Sequence, residues 1–360
     1  MRLSVLKLAV GLAIVGMTSW SPAAQRPTTT DAGPALQSIG PLTFGPNGVL
    51  FAADTQGANI FAFEFGTESS APGVKDTDAI DKKIAGLLGT DVKEISVTDL
   101  AVHPQTRNAY ISAMRGQGDN AKPVLVRVDG TGKMEVVGLE KVKFSKVAIP
   151  NAPGSGNRNA RTQSITDMKF SDGRLYIAGL SNEEFASKLR SVPYPFATVD
   201  NGTSVEIYHG NHHQLETRSP VYAFVPYTVN GQASLIAGYL CTPLVEFPVS
   251  DLTPGKKVRG KTIAELGAGN RPLDMIVYKK DGKEYLLMSN NSRGVMKIPT
   301  EGFGSAKPIT APVESETAGI PYETITSMKN IEQLAKLDDQ HSLVLARANG
   351  TLNMQALPLP

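Results

Sequence analysis

From Gly40 onward the chain repeats one pattern: a short strand of alternating apolar and polar residues, a tight polar turn, then a more continuously apolar strand. Gly40-Pro41-Leu42-Thr43-Phe44 passes through Gly45-Pro46-Asn47-Gly48 into Val49-Leu50-Phe51-Ala52-Ala53. Thr98-Asp99-Leu100-Ala101-Val102 passes through His103-Pro104 into Asn108–Ser112. Thr166-Asp167-Met168-Lys169-Phe170 passes through Ser171-Asp172-Gly173 into Arg174–Ala178. Pro272–Tyr278 leads through Asp281-Gly282 into Lys283–Met288, and Val221–Val225 pairs with Ala233–Ala237. Ile331–Leu334 with His341–Leu345 is a fainter copy. Asp-Gly and Asn-Gly suit hairpin turns because those turns need positive φ. The second strand, rich in Ile, Leu, Val and Tyr, fits burial between neighbouring sheets. A third strand often follows, as in Ile60–Phe63, Val124–Arg127 and Val295–Ile298.

Helical spacing interrupts this pattern twice. Asp78–Leu88 places Ile80, Ile84, Leu87 and Leu88 on one face. Asn182–Leu189 opens with a candidate N-cap at Ser181 or Asn182 and has Glu183-Glu184 in its first turn. Small repeated sheets over several hundred residues imply radial stacking, which leaves only short edges exposed. The predicted fold is all-β: a single β-propeller over residues 38–360, with two short helical insertions. The copies point to six blades, and the spacing also admits seven. A two-sheet sandwich is the competing architecture, but sandwiches rarely repeat one hairpin so regularly. The one candidate linker, Pro150–Asn159, is expected to be a long loop.

The hairpins FGPNGVLFAAD and FSDGRLYIAG give the chain a look that resembles exported bacterial propellers of the YncE-like and SMP-30/lactonase-like kind. The resemblance is architectural and covers most of the chain. It implies the fold and assigns no active-site residue, since such hairpins recur in propellers of unrelated function.

The start of the chain changes the picture from fold to place. Arg2 and Lys7 precede an apolar run from Leu8 to Met17, and Ser21 and Ala23 are small residues at the −3 and −1 positions of a cleavage site. The run is about half the ~20 residues that span a bilayer. Residues 1–23 are therefore expected to be a signal peptide, with cleavage after Ala24 nearly as suitable. An uncleaved anchor is the alternative. Residues 24–37 are a Thr/Pro/Gly-rich lead-in, and the expected location is periplasmic or secreted. No later segment is apolar enough to span, so none is expected after cleavage.

Composition adds three constraints. Charged residues are 19% and hydrophobic ones 41%, enough to build a core. The net charge of +2 falls to about zero once Arg2 and Lys7 are removed, so nothing draws the chain electrostatically to nucleic acid or anionic lipid. The single cysteine, Cys241, cannot form an internal disulfide. A monomer is expected, with the small-molecule or protein partner unspecified.

The familiar nucleotide, haem, HExxH, CxxC and GxSxG motifs are absent; Gly130-Thr131-Gly132-Lys133 ends in Met134 where a phosphate loop needs Ser or Thr. The distinctive segment is Tyr208-His209-Gly210-Asn211-His212-His213-Gln214-Leu215-Glu216. His209, His212, His213 and Glu216 offer an imidazole and carboxylate set for copper or zinc, with Cys241 as a soft fifth candidate. The competing account is a polar loop with coincidental histidines, and for Cys241 a small buried residue. Asp99, Asp167 and Asp274 recur at one position of the repeat and are predicted to face one channel, with Gln163 and Arg271 nearby. Carboxylates there suit calcium or a hydrolytic base, unless they fix turns by accepting backbone N–H groups. Asn182 and Arg190, in the stretch Ser181–Phe196 that holds the second helical segment and the aromatic-proline run after it, could roof a pocket, or belong to a packed surface elaboration. Three functions follow: a metal- or ligand-binding propeller, a metal-dependent hydrolase of lactonase or phosphoesterase type, and a non-catalytic interaction scaffold.

Overall fold

Asp172-Gly173, Asn230-Gly231 and Asp281-Gly282 all adopt positive φ at both positions, the geometry that two-residue hairpins require. Each joins the innermost strand of a sheet to its second strand. These turns set the repeating unit of the computed structural model, which describes residues 33–65, 73–196, 199–241 and 243–360. The predicted signal peptide and the start of the lead-in lie outside the described residues.

Among the described residues, six sheets form a six-bladed propeller, antiparallel throughout except where Thr203–His209 pairs in parallel with Lys257–Arg259. Blade 1 holds Leu42–Phe44, Val49–Asp54 and Asn59–Glu64, with Phe144–Ala148 outside them. Blade 2 holds Ile95–Val102, Ala109–Arg115, Lys122–Val128 and Met134–Val136. Blade 3 holds Asp167–Ser171, Arg174–Leu180, Ser187–Pro193 and Thr203–His209, extended by Gln214–Glu216. Blade 4 runs from Val221–Val229 through Gln232–Tyr239 and Pro243–Pro248 to Lys261–Leu266 and Thr317–Gly319. Blade 5 holds Pro272–Lys280, Lys283–Asn290, Gly294–Pro299 and Glu323–Ile325, and blade 6 holds Ile331–Lys336, His341–Ala348 and Thr351–Pro358.

The blades do not follow chain order around the ring. The innermost strand of blade 1 packs against those of blades 2 and 3, while the innermost strand of blade 2 packs against that of blade 6. The spatial order is therefore 2–1–3–4–5–6, closing from 6 to 2. Six apolar clusters fill the six interfaces. Val49, Phe51 and Ile60 of blade 1 meet Met168, Leu175 and Ile177 of blade 3. Leu100, Ile111 and Val126 of blade 2 meet Leu343 and Leu345 of blade 6. Each fully buried aliphatic or aromatic side chain contributes about 1.5–3 kcal/mol.

The connections explain the exchange. After its third strand, blade 1 hands the chain to the outer edge of blade 6, where Thr77 pairs with Met354. Helix α1 (Ile80–Leu88) follows, as its periodicity predicts, and buries Ile80 and Ile84 beside Leu352 and Met354. The chain then builds blade 2, returns to add Phe144–Ala148 to blade 1, and moves on to blade 3. The ring is thus closed by a segment from its own first quarter.

The helix expected over Asn182–Leu189 does not form. Ser187–Pro193 is a strand, paired residue for residue with Arg174–Leu180. The Ser181 hydroxyl accepts the Glu183 N–H at 3.3 Å, a local turn in place of a helix cap. The backbone demand of the third strand overrides a weak local preference. The second helix, α2 (Arg158–Thr162), arises instead at the end of the Pro150–Asn159 loop, capped by Asn157.

Candidate functional site

The histidine segment is the corner of a hairpin on the outer part of blade 3. Thr203–His209 ends in a 3-10 turn, Gly210–His212, and the chain returns through Gln214–Glu216. His213, at φ 57, makes the reversal and points away into solvent-exposed surface. The return sets Glu216 under both preceding imidazoles: its Oε1 lies 3.0 Å from His209 Nδ1 and 2.6 Å from His212 Nδ1. The Ser219 hydroxyl donates to Oε2. Burial works against ionisation of Glu216, but the hydrogen bonds from His209, Ser219 and His212 outweigh it and hold the carboxyl down at about 2.

Blade 4 supplies the other side. Cys241 sits in the turn after Gln232–Tyr239, held at φ 60 by its N–H bond to Asn270 O at 2.6 Å. One ring nitrogen of His209, one of His212 and the Cys241 sulfur all lie within 4.8 Å of one another. His209 is fully buried, His212 exposed and Cys241 half-buried. Since Glu216 engages both Nδ1 atoms, the Nε2 atoms are the ones left to bind. This is the arrangement of metal-ligating histidines, whose other nitrogen is fixed by a carboxylate. Two imidazoles and a thiol favour zinc or copper over calcium.

Asp99, Asp167 and Asp274 do face one channel. They stand on blades 2, 3 and 5, which are alternate positions in the spatial ring. Each carboxylate holds the N–H of the residue after it: Leu100, Met168 and Met275 at 2.8, 2.7 and 2.8 Å. Each also holds an N–H of the next blade: Leu42, Phe224 and Leu334 at 2.6, 2.8 and 3.2 Å. Lys169 stands among them, its Nζ 3.1 Å from Asp167 and 3.6 Å from Asp274. Burial, then the charge of Asp274, pushes the Asp99 carboxyl well up, and burial raises Asp274 to about 6. Lys169 is held protonated, because attraction to the three carboxylates outweighs its burial. The cation of this channel is therefore a side chain of the protein.

The remaining expected residues are dispersed. Gln163 and Arg271 line an open depression of about 690 Å³ at the end of the channel where the innermost strands begin. Arg271 lies over the Tyr222 ring, 5.6 Å from its centroid. Arg190 is buried within blade 3, where desolvation lowers it to about 10, and it reaches Pro150 O at 3.3 Å. Asn182 is exposed, its N–H on Asn151 O at 2.7 Å. Neither joins the histidines or the channel carboxylates.

No family model matches the chain, and no curated protein matches its sequence. Among solved structures it is similar to a glucose dehydrogenase, with TM-score 0.38 and 11% identity over 94% of this chain and 99% of that one. YCF48 from Cyanidioschyzon merolae is similar at TM-score 0.34 and 12% identity, over 94% of this chain and 89% of that one. A streptogramin B lyase is similar at TM-score 0.34 and 8% identity, over 90% and 96%. At such identities no side chain of this protein inherits a role from them.

Two residues of these sites escape sequence reasoning. Lys169 carried a faint signal: it stands two positions after Asp167, where the equivalent copies have Ala101 and Ile276. Residues two apart on a strand share a face, so a lysine at an otherwise apolar position marks a partner for the acids. Glu265, described below, carried no pattern signal beyond an acid inside the otherwise buried strand Lys261–Leu266.

Proposed function

We propose that this protein is an exported propeller that binds a transition metal, zinc or copper, between the outer parts of blades 3 and 4. His209, His212 and Cys241 are the ligands, and Glu216 orients both imidazoles. The observation that carries this is the shared Glu216 oxygen on both Nδ1 atoms, with one nitrogen of each ring and the Cys241 sulfur gathered within 4.8 Å. The test is elemental analysis of the purified chain, as isolated and after reconstitution. About one metal per chain is expected, with loss of it in His209→Ala and Cys241→Ser. Wild-type protein that takes up no zinc or copper defeats the proposal.

Export is part of the same reading, supported by the basic start, short apolar run and small-residue cleavage site. Mass spectrometry of the protein recovered from the periplasm is expected to find Ala24 or Gln25 at the N-terminus, and an intact Met1 overturns it. No helix among the described residues is long and apolar enough to cross a membrane.

The hydrolase reading draws less support, because each channel carboxylate is committed to backbone N–H groups, and Asp167 and Asp274 also to Lys169. A second reading, a small anionic ligand at the channel mouth, is favoured by Arg271, which has no carboxylate partner among the described residues and lies in the 690 Å³ depression. Arg271→Ala is expected to abolish any thermal stabilisation by small carboxylates, and a screen with no stabilising carboxylate counts against it.

A further inference from the structure

Glu265 lies in the fourth strand of blade 4 and is wholly buried. Its Oε1 accepts the Gly210 N–H at 2.6 Å. Its Oε2 makes no hydrogen bond among the described residues, and neither does His209 Nε2, which faces it at 3.7 Å. A buried polar atom left bare is costly, and here two such atoms stand opposite each other. At 3.7 Å they are too far apart to satisfy one another. Two ligands of one tetrahedral zinc, at metal–ligand lengths of about 2.0–2.2 Å, stand roughly 3–4 Å apart.

We infer that Glu265 is a fourth ligand, and that the bound ion is a structural zinc clamping blade 3 to blade 4. The inference rests on the metal site proposed above and fixes its class. His209 and His212 come from blade 3, Cys241 and Glu265 from blade 4. Glu265 stands beside His209 but outside the trio gathered within 4.8 Å, so the ion would have to draw it in. With it, two imidazoles, one thiolate and one carboxylate fill a tetrahedral zinc shell and leave no open position, the mark of a structural rather than catalytic site. Gly210 is what lets the two blades meet there. A Cβ at this position would lie 2.7 Å from Val313 Cγ2 and 3.1 Å from Glu265 Oε1. A chain with one cysteine has no internal disulfide, and a metal cross-link supplies a comparable staple.

The test is titration of the purified full chain with cobalt(II), then displacement by zinc, together with thermal unfolding. Wild-type protein is expected to show the intense visible bands of tetrahedral cobalt and a thiolate charge-transfer band, and zinc is expected to raise its unfolding temperature. Glu265→Gln should weaken zinc at least about tenfold, lose most of that rise and shift the cobalt bands. Glu265→Asp, which keeps the charge, serves if the glutamine variant does not fold, and should shift the bands likewise. If His209→Ala and Cys241→Ser abolish binding while both Glu265 variants bind as wild type, the metal site stands and Glu265 is no ligand. If the wild type binds neither cobalt nor zinc, the structural zinc falls, and failure to take up copper as well defeats the metal site.

Discussion

Leu42 donates its backbone N–H to Asp99 Oδ2 at 2.6 Å, fastening blade 1 to blade 2 at the wall of the channel. Asp167 holds Phe224, and Asp274 holds Leu334, in the same way. Each acid reaches to the next blade in one rotational sense, so three equivalent stitches close alternate interfaces. Read in that sense, blade 2 precedes blade 1, which agrees with the packing of their innermost strands.

Asp167→Ala is expected to strand the buried N–H groups of Met168 and Phe224 and to take from Lys169 its nearer carboxylate, leaving Asp274 at 3.6 Å. The loss should be about 3 kcal/mol or more in urea unfolding at neutral pH. A loss below about 1 kcal/mol, the range of an ordinary surface change, contradicts the stitch.

The channel acids set the pH dependence. Asp274 rises from its ordinary value near 3.8 to about 6 by burial, and Asp99 is raised as well. A carboxyl that binds its proton more tightly when folded adds stability as pH falls through the folded value and costs stability above it. For Asp274 the window runs from about 6 down to 3.8. The wild-type protein should therefore be more stable at pH 5 than at pH 7.5, and Asp274→Asn should flatten that difference. Lys169→Met removes the channel's counter-charge, so its destabilisation should be larger at pH 7.5 than at pH 5. Equal losses at both pH values rule this out.

Phe51 of blade 1 stacks on Phe170 of blade 3, with ring centroids 5.6 Å apart and planes 15° apart. A ring in chain order would place blade 2 between them. A double-mutant cycle of Phe51→Leu and Phe170→Leu should give a coupling energy of about 0.5–1.5 kcal/mol. Zero coupling contradicts the exchanged order of blades 1 and 2.

The fold was legible because its signals are local. Asp172-Gly173 and Asp281-Gly282 announce hairpins, and strands such as Leu175–Ala178 carry the apolar density of a buried second strand. The recurring acids were legible for the same reason: a repeat puts Asp99, Asp167 and Asp274 at equivalent sites. Blade order was not legible, since the Thr77–Met354 bridge and the return of Phe144–Ala148 join residues with no local mark. Ser187–Pro193 misled, because Glu183-Glu184 after Ser181 resembles a helix start while the pairing that decides the strand comes from Arg174–Leu180. At the candidate site the clustered histidines were visible. Cys241 and Glu265 came beside the histidines only through packing of blade 4 on blade 3, and Glu216 proved to hold the imidazoles from across a hairpin.

The most direct measurement is X-ray diffraction from crystals of the protein grown with one equivalent of zinc, recorded at energies on either side of the zinc absorption edge. A single strong anomalous peak is predicted among His209, His212 and Cys241, about 2.0–2.1 Å from each imidazole nitrogen and about 2.3 Å from the sulfur. An anomalous map with no peak there, or with zinc bound only elsewhere on the surface, contradicts zinc binding at this site.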